Sequence, residues 1–248
     1  ELHLGIDPND LPLVGSPADN SFNALELDLQ LGQTHYWRVD EVNEATVPSN
    51  RIGQVWGFTT VDFIVVDDME GYEDAEFLEI WATWIDGFED PTNGSLVGND
   101  ATGSPETFIV HGDSQSLPLH YDNVTATHSE VKRTFDAPMD WTRHGVGSLV
   151  LYFQGSSTNT GGSLYVKIND TKIAYDGDAS SLTRLGWGKW TILLAEVGTN
   201  LSSVRSLTLG VDNGGQGVVY VDDIELYRNA PVGESAFLDL SDLIAGGD

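Results

Sequence analysis

Two acidic runs lie far apart in the chain, Val65-Val66-Asp67-Asp68-Met69-Glu70 and Tyr220-Val221-Asp222-Asp223-Ile224-Glu225. If strands bring them side by side, their carboxylates repel one another. A hard divalent cation relieves that conflict, and Ca²⁺ favours carboxylate and carbonyl oxygens in flexible geometry. Strict alternation along the second run puts Asp222 on the face of Ile224 and Leu226. A carboxylate turned inward in this way needs a metal or a basic partner. The other reading turns these acids to solvent at sheet edges.

Aromatic rings carry a second chemistry. Sugar C–H faces stack on rings, and neighbouring amides and carboxylates serve the hydroxyls. Of the seven Trp, Trp37, Trp56 and Trp190 read as core. Trp81, Trp84, Trp141 and Trp187 remain. Trp187 sits in the loop Leu185-Gly186-Trp187-Gly188, Trp141 follows Pro138-Met139-Asp140, and Tyr121-Asp122-Asn123 offers a ring, an acid and an amide together. The candidate carbohydrate-binding residues are Trp141, Trp187, Tyr121, Asn123 and Trp84. Each taken alone is equally at home in a core.

Catalytic patterns are missing from the sequence. It has no Glu-x-Asp-x-x-Glu strand of the kind β-sandwich glycosidases use. It also has no His-Glu-x-x-His and no Gly-x-Ser-x-Gly elbow. Glu79 and Asp86 flank a stretch that reads as helix or loop. A non-catalytic protein is expected.

The elements that must position these groups read as short strands. The 248 residues carry 27 Gly and a net charge of −28, with no Cys. Disulfides and thiolate sites are therefore excluded. The charge repels nucleic acid and anionic membranes and disfavours anionic glycans, so a neutral polysaccharide is the expected partner. No run approaches the length of a membrane span. Glu1 reads as a processed or cut end, and a secreted or cell-surface setting is expected.

Period-two alternation marks Leu25-Leu27-Leu29 and Thr34 to Asn43 as strands, with Gln54 to Thr60 after a Pro/Ser/Asn loop. The string Leu31-Gly32-Gln33-Thr34-His35-Tyr36-Trp37, followed by Gly53-Gln54-Val55-Trp56-Gly57-Phe58, resembles the back half of a fibronectin type III domain. Leu31, Gly32 and Tyr36 match that family's tyrosine corner. Residues 1–60 are therefore expected to form a partial domain of that kind, short of its first two strands.

Residues 62–228 read as a separate jelly roll of about nine strands. These include Thr107 to His111, Ser148 to Gln154, Ser163 to Ile168 and Val218 to Tyr227. Its opening Val66-Asp67-Asp68-Met69-Glu70-Gly71-Tyr72 and closing Tyr220-Val221-Asp222-Asp223-Ile224-Glu225 resemble galactose-binding-like carbohydrate-binding modules. The resemblance implies a structural calcium held by Glu70 and Asp222, with Asp68 beside them and backbone oxygens from Gly112 or Ser114. It also implies glycan binding. The alternative is a structural subunit of an extracellular fibre, with the tail at 229–248 (Ser235 to Ile244 above all) donating a strand head to tail.

Overall fold

The computed structural model describes residues 1–19, 21–24, 27–73, 78–99, 103–178 and 180–228. The chain divides into two compact units. The first comprises Glu1–Ile64 with Arg143–Val146, and the second Val65–Thr142 with the chain from Gly147 onward. The boundary falls a few residues past the one read from sequence. Residues 143–146 count with the first unit because the Leu31 amide donates to the His144 carbonyl (3.1 Å) and the His144 amide to Asp28 (2.7 Å).

In the first unit, β1 (Leu2–Gly5), β2 (Leu13–Gly15), β3 (Thr34–Val39) and β6 (Trp56–Thr59) form one sheet in the order β2-β1-β3-β6. A short ladder joins β4 (Glu41–Val42) to β5 (Asn50–Arg51). The strand expected around Leu27 and Leu29 is absent, and Leu25 lies outside the described residues. The Asp28 carboxylate and the Leu29 carbonyl serve His144 instead, and β1 supplies the neighbour of β3. His35 is the buried ring of β3, stacked on Phe58 at 5.6 Å, whereas Tyr36 is half-buried. Trp56, expected in the core, is 55% exposed. Beside the sheet lies a cavity of about 540 Å³ lined by Leu2, Leu4, Phe22, Leu27, Trp37 and Phe58. The tail proposed to donate a strand lies outside the described residues.

The second unit is a β-sandwich with jelly-roll architecture. One sheet runs β15 (Gly188–Leu193), β12 (Ser148–Gln154), β17 (Gln216–Tyr227), β10 (Leu117–Asp122), β9 (Ser95–Val97), and β7 (Phe63–Asp67) also pairs with β17. The facing sheet runs β14 (Thr171–Ala174), β13 (Ser163–Ile168), β16 (Val204–Asp212), β11 (Ser129–Met139), β8 (Trp84–Ile85). Alternation drives the two inner faces together. Leu149, Leu151, Phe153, Val219 and Val221 meet Val131, Val166, Leu207 and Leu209, all essentially without exposure. Burial of this apolar area is the main stabilising term.

The half-buried Arg133 brings a cation to the buried Asp67. Arg133 lies beside Trp84 in the β11–β8 ladder and donates to the Val66 carbonyl (2.9 Å) and to the Asp67 carboxylate. Asp67 also accepts from the Tyr72 hydroxyl (2.6 Å), the Trp84 indole (2.9 Å) and the Met69 amide (3.0 Å). Burial pushes the Tyr72 hydroxyl well above its ordinary value, and the Asp67 charge adds to that, so Tyr72 stays a donor. Removing one partner of such a pair strands the other charge. Arg133→Met is therefore expected to cost about 3 kcal/mol in urea denaturation. A loss well under 1 kcal/mol would mean that the pair is solvated.

Candidate carbohydrate-binding face

The loop joining Glu106 to Ser116 is organised by carboxylates. The sequence reads Thr107 to His111 as a strand, but Glu106 Oε1 accepts from the amides of Thr107 (2.9 Å), Phe108 (2.6 Å) and Ile109 (3.3 Å). Those amides are thereby withdrawn from any ladder. Burial works to raise the Glu106 carboxyl, but the Phe108 amide, Asn99 and the other donors outweigh it and hold it below its ordinary value. Asp222 Oδ2 then takes the amides of His111 (2.9 Å) and Gly112 (3.4 Å). Glu70 takes those of Ser114 (2.9 Å) and Gln115 (2.7 Å), together with the Ser114 hydroxyl. The turn that follows β7 and the last strand thus grip one loop between them.

Asp222 corrects the sequence reading in one respect. It pairs across the sheet with Tyr152, on the face opposite Val221. A bulge at Asp223, where φ is +46°, resets the alternation so that Ile224 and Leu226 return to the core. The carboxylate is buried by the loop above it, and backbone amides satisfy it where a metal or a base was expected. Those donors do not fully compensate: burial, with the adjacent Asp223 charge, pushes its carboxyl up to about 7. Of the other implied ligands, Asp68 accepts the Glu70 amide (3.2 Å), and Gly112 packs so close that a Cβ would lie 2.8 Å from Asp223. Among the described residues no group of three or more His, Asp or Glu stands ready to hold an ion. The carboxylates of Glu70, Asp68 and Asp222 are hard oxygen donors, and the Gln115 Oε1 on the same loop is buried without a partner.

The sequence-read glycan residues separate sharply. Trp84 and Trp141 are fully buried, Trp84 against Asp67 and Trp141 edge-on to Phe135 at 6.4 Å. Tyr121 is buried and donates to the Gly161 carbonyl (3.0 Å). Asn123 bridges the Val211 carbonyl and the Ser129 hydroxyl. These four hold the sandwich together, and a ring packed inside it has no face left for a sugar. Trp187 alone is half-buried, meeting His111 edge-on at 5.7 Å.

Around Trp187 the outward face of the β15-β12-β17-β10-β9 sheet collects what the sequence reading missed. The His111 ring stacks on Tyr152 (3.6 Å between centroids) with Nδ1 2.5 Å from Asp223. Gln154 lies opposite Tyr220, which lies opposite Pro118, and the next row is Val218, His120 and Leu96. Tyr152, Gln154, Tyr220 and His120 are all half-buried. The signal was available in Ser148 to Gln154, where Tyr152 and Gln154 alternate with Leu149, Leu151 and Phe153. At the β9 edge the face opens into a cavity of about 720 Å³ bordered by Trp81, Ile85, Phe88, Leu96 and His120.

No protein-family model and no curated protein matches the sequence. Among solved structures, a family 27 carbohydrate-binding module of Caldicellulosiruptor saccharolyticus in complex with mannohexaose is 14% identical, with a TM-score of 0.47 over 69% of this chain and 100% of that one. A family 11 carbohydrate-binding module of a cellulosomal cellulase of Clostridium thermocellum is 14% identical, with a TM-score of 0.40 over 73% and 99%. An exo-β-agarase is 15% identical, with a TM-score of 0.42 over 60% of this chain, which spans only 25% of the agarase chain.

The carboxylate grip on the loop has a direct test. Glu70→Ala should lower stability by about 2 kcal/mol, the usual worth of hydrogen bonds to a charged group. It should also speed hydrogen exchange at the Ser114 and Gln115 amides selectively. Unchanged exchange there would show that the loop is held by other means.

Proposed function

We propose that this chain is a non-catalytic carbohydrate-binding module that takes a glycan across the outward face of the β15-β12-β17-β10-β9 sheet. The observation that carries the reading is the run of half-buried groups on that face, Gln154, Tyr220 and His120, ended by Trp187 beside the His111 ring that covers Tyr152. Rings offer flat apolar surface to sugar C–H groups, and Gln154 with the Tyr hydroxyls exchanges hydrogen bonds with sugar hydroxyls. The net charge of −28 favours a neutral polysaccharide over a sulfated one. A secreted or cell-surface setting suits such a ligand. The first unit, with its Leu31, Gly32 and Tyr36 corner, is read as a partial fibronectin type III-like spacer.

Shallow polar sites bind weakly, so affinities in the micromolar to millimolar range are expected. Affinity electrophoresis against neutral and sulfated glycans is the test. A neutral glycan should retard the chain, and Tyr220→Ala and Trp187→Ala should each abolish the retardation. Loss of binding in Trp141→Ala, with both surface variants binding normally, would contradict the proposed face.

The same reading includes a structural calcium at the seam of the first and last strands. Asp222 would be its principal ligand, with Glu70, Asp68 and oxygens of the Gly112 to Gln115 loop around it. Support comes from the buried Asp222 carboxylate, which amides alone leave under-compensated, and from the orphaned Gln115 oxygen. When bound, the ion would supply positive charge at this seam. A ligand at a hundredfold excess over its Kd adds about 2.7 kcal/mol. Chelator should lower the melting temperature and calcium restore it, with no response to either in Asp222→Asn. A wild-type melt indifferent to both removes calcium from the account.

A further inference from the structure

The cavity at the β9 edge is poorly matched to a bare sugar. A sugar buried in it would bring several hydroxyls, and each buried hydroxyl needs a partner. The walls are mostly apolar: Trp81, Ile85, Phe88 and Leu96, of which Phe88 is 82% exposed and Trp81 47%. Four large apolar side chains gathered at one open cavity make it a candidate ligand site. Asp86 is already committed, its two oxygens accepting the Phe88 amide (2.9 Å) and the Val97 amide (2.8 Å). That leaves the neutral polar His120, one ring nitrogen of which is engaged by the Gly98 backbone, and Glu89 as a charge on the rim.

The rings are presented by local structure. Trp81 begins at the short helix α1 (Ile80–Thr83), and its indole lies against Gly103, where a Cβ would come within 2.5 Å of Cδ1. Gly103 also has φ +67°, so glycine is required there both for space and for conformation. Asp86 fixes the turn that carries Phe88. Burial pushes the His120 imidazole below its ordinary value, with the Gly98 backbone partly opposing. Near neutral pH the ring is therefore uncharged, with one N–H and one bare nitrogen able to accept.

We infer that this cavity receives a neutral phenolic ring carried as a substituent on the glycan, an inference that rests on the glycan-binding reading. A phenol has two apolar faces for Trp81 and Phe88, an edge for Ile85 and Leu96, and a single O–H to donate to His120. Glu89 and the acidic surface oppose carboxylated or sulfated substituents. The volume of about 720 Å³ accommodates an aromatic ring and its linkage, more than an acetyl group needs.

Isothermal titration of the full chain with glucose- and mannose-based disaccharides, as methyl, 4-methoxyphenyl and 4-hydroxyphenyl glycosides, tests it, with free p-cresol as a separate probe. The 4-hydroxyphenyl glycoside should bind about tenfold tighter than the methyl glycoside, with the methoxyphenyl form between them. Phe88→Ala, at an exposed position, should erase the gain and leave methyl-glycoside binding unchanged. Equal affinities for the methyl and hydroxyphenyl glycosides overturn the inference and leave the glycan reading standing. A gain that survives Phe88→Ala also overturns it. Binding of p-cresol that Phe88→Ala abolishes, with no glycoside bound, supports the phenolic pocket and removes the glycan reading.

Discussion

Burying the Asp222 carboxylate is the constraint on which the candidate face depends. A carboxylate out of water needs donors or a counter-charge. Here the donors are the Asp223 amide on the strand itself and the His111 and Gly112 amides, so the loop has to descend onto the last strand. Its descent brings the His111 ring onto Tyr152 and beside Asp223, and sets Trp187 against it. Glu106 and Glu70 act in the same way on either side. Acids from three parts of the chain thus shape a loop whose base is closed by the single Glu106–Ser116 bridge, and its His111 ring lies with Trp187 at one end of the outward face.

The two faces of that sheet divide the work. Inward positions of β12 and β17 carry Leu149, Leu151, Phe153, Val219 and Val221, which lock the sandwich. Outward positions carry Tyr152, Gln154 and Tyr220, which pack only in part. A rigid sheet spaces these side chains regularly. The facing sheet is built differently on its outer side. Tyr165 lies flat over Gly210 with its hydroxyl on Glu130 and the Lys172 ammonium 3.8 Å over its ring. That ring is spent on internal contacts and has no face to offer.

Much of the fold was legible because period two is a strong signal where one face is buried. Ser148 to Gln154 and Ser163 to Ile168 hold to the residue. The pairing of the first and last strands also follows from the end motifs. What failed did so for local reasons. Thr107 to His111 looks like a strand, but Glu106 captures its amides. Asp222 looks inward until the bulge at Asp223 is counted. β9 and β14 are too short to register as alternation. The site was less legible still, because a Trp in sequence carries no sign of its depth. Trp84 and Trp141 are core, whereas the outward residues of β10, β12 and β17 could have been found by taking the alternate positions of strands already recognised.

The central claim is that the ligand lies on the outward face of the β15-β12-β17-β10-β9 sheet. Backbone amide chemical shifts of the ¹⁵N-labelled chain, followed during titration with a neutral glycan that binds it, test this most directly. The account predicts perturbations concentrated at Leu96, His120, Tyr152, Gln154, Trp187 and Tyr220. Perturbations concentrated instead at Glu130, Lys167 and Thr208, on the outer side of the facing sheet, would contradict it.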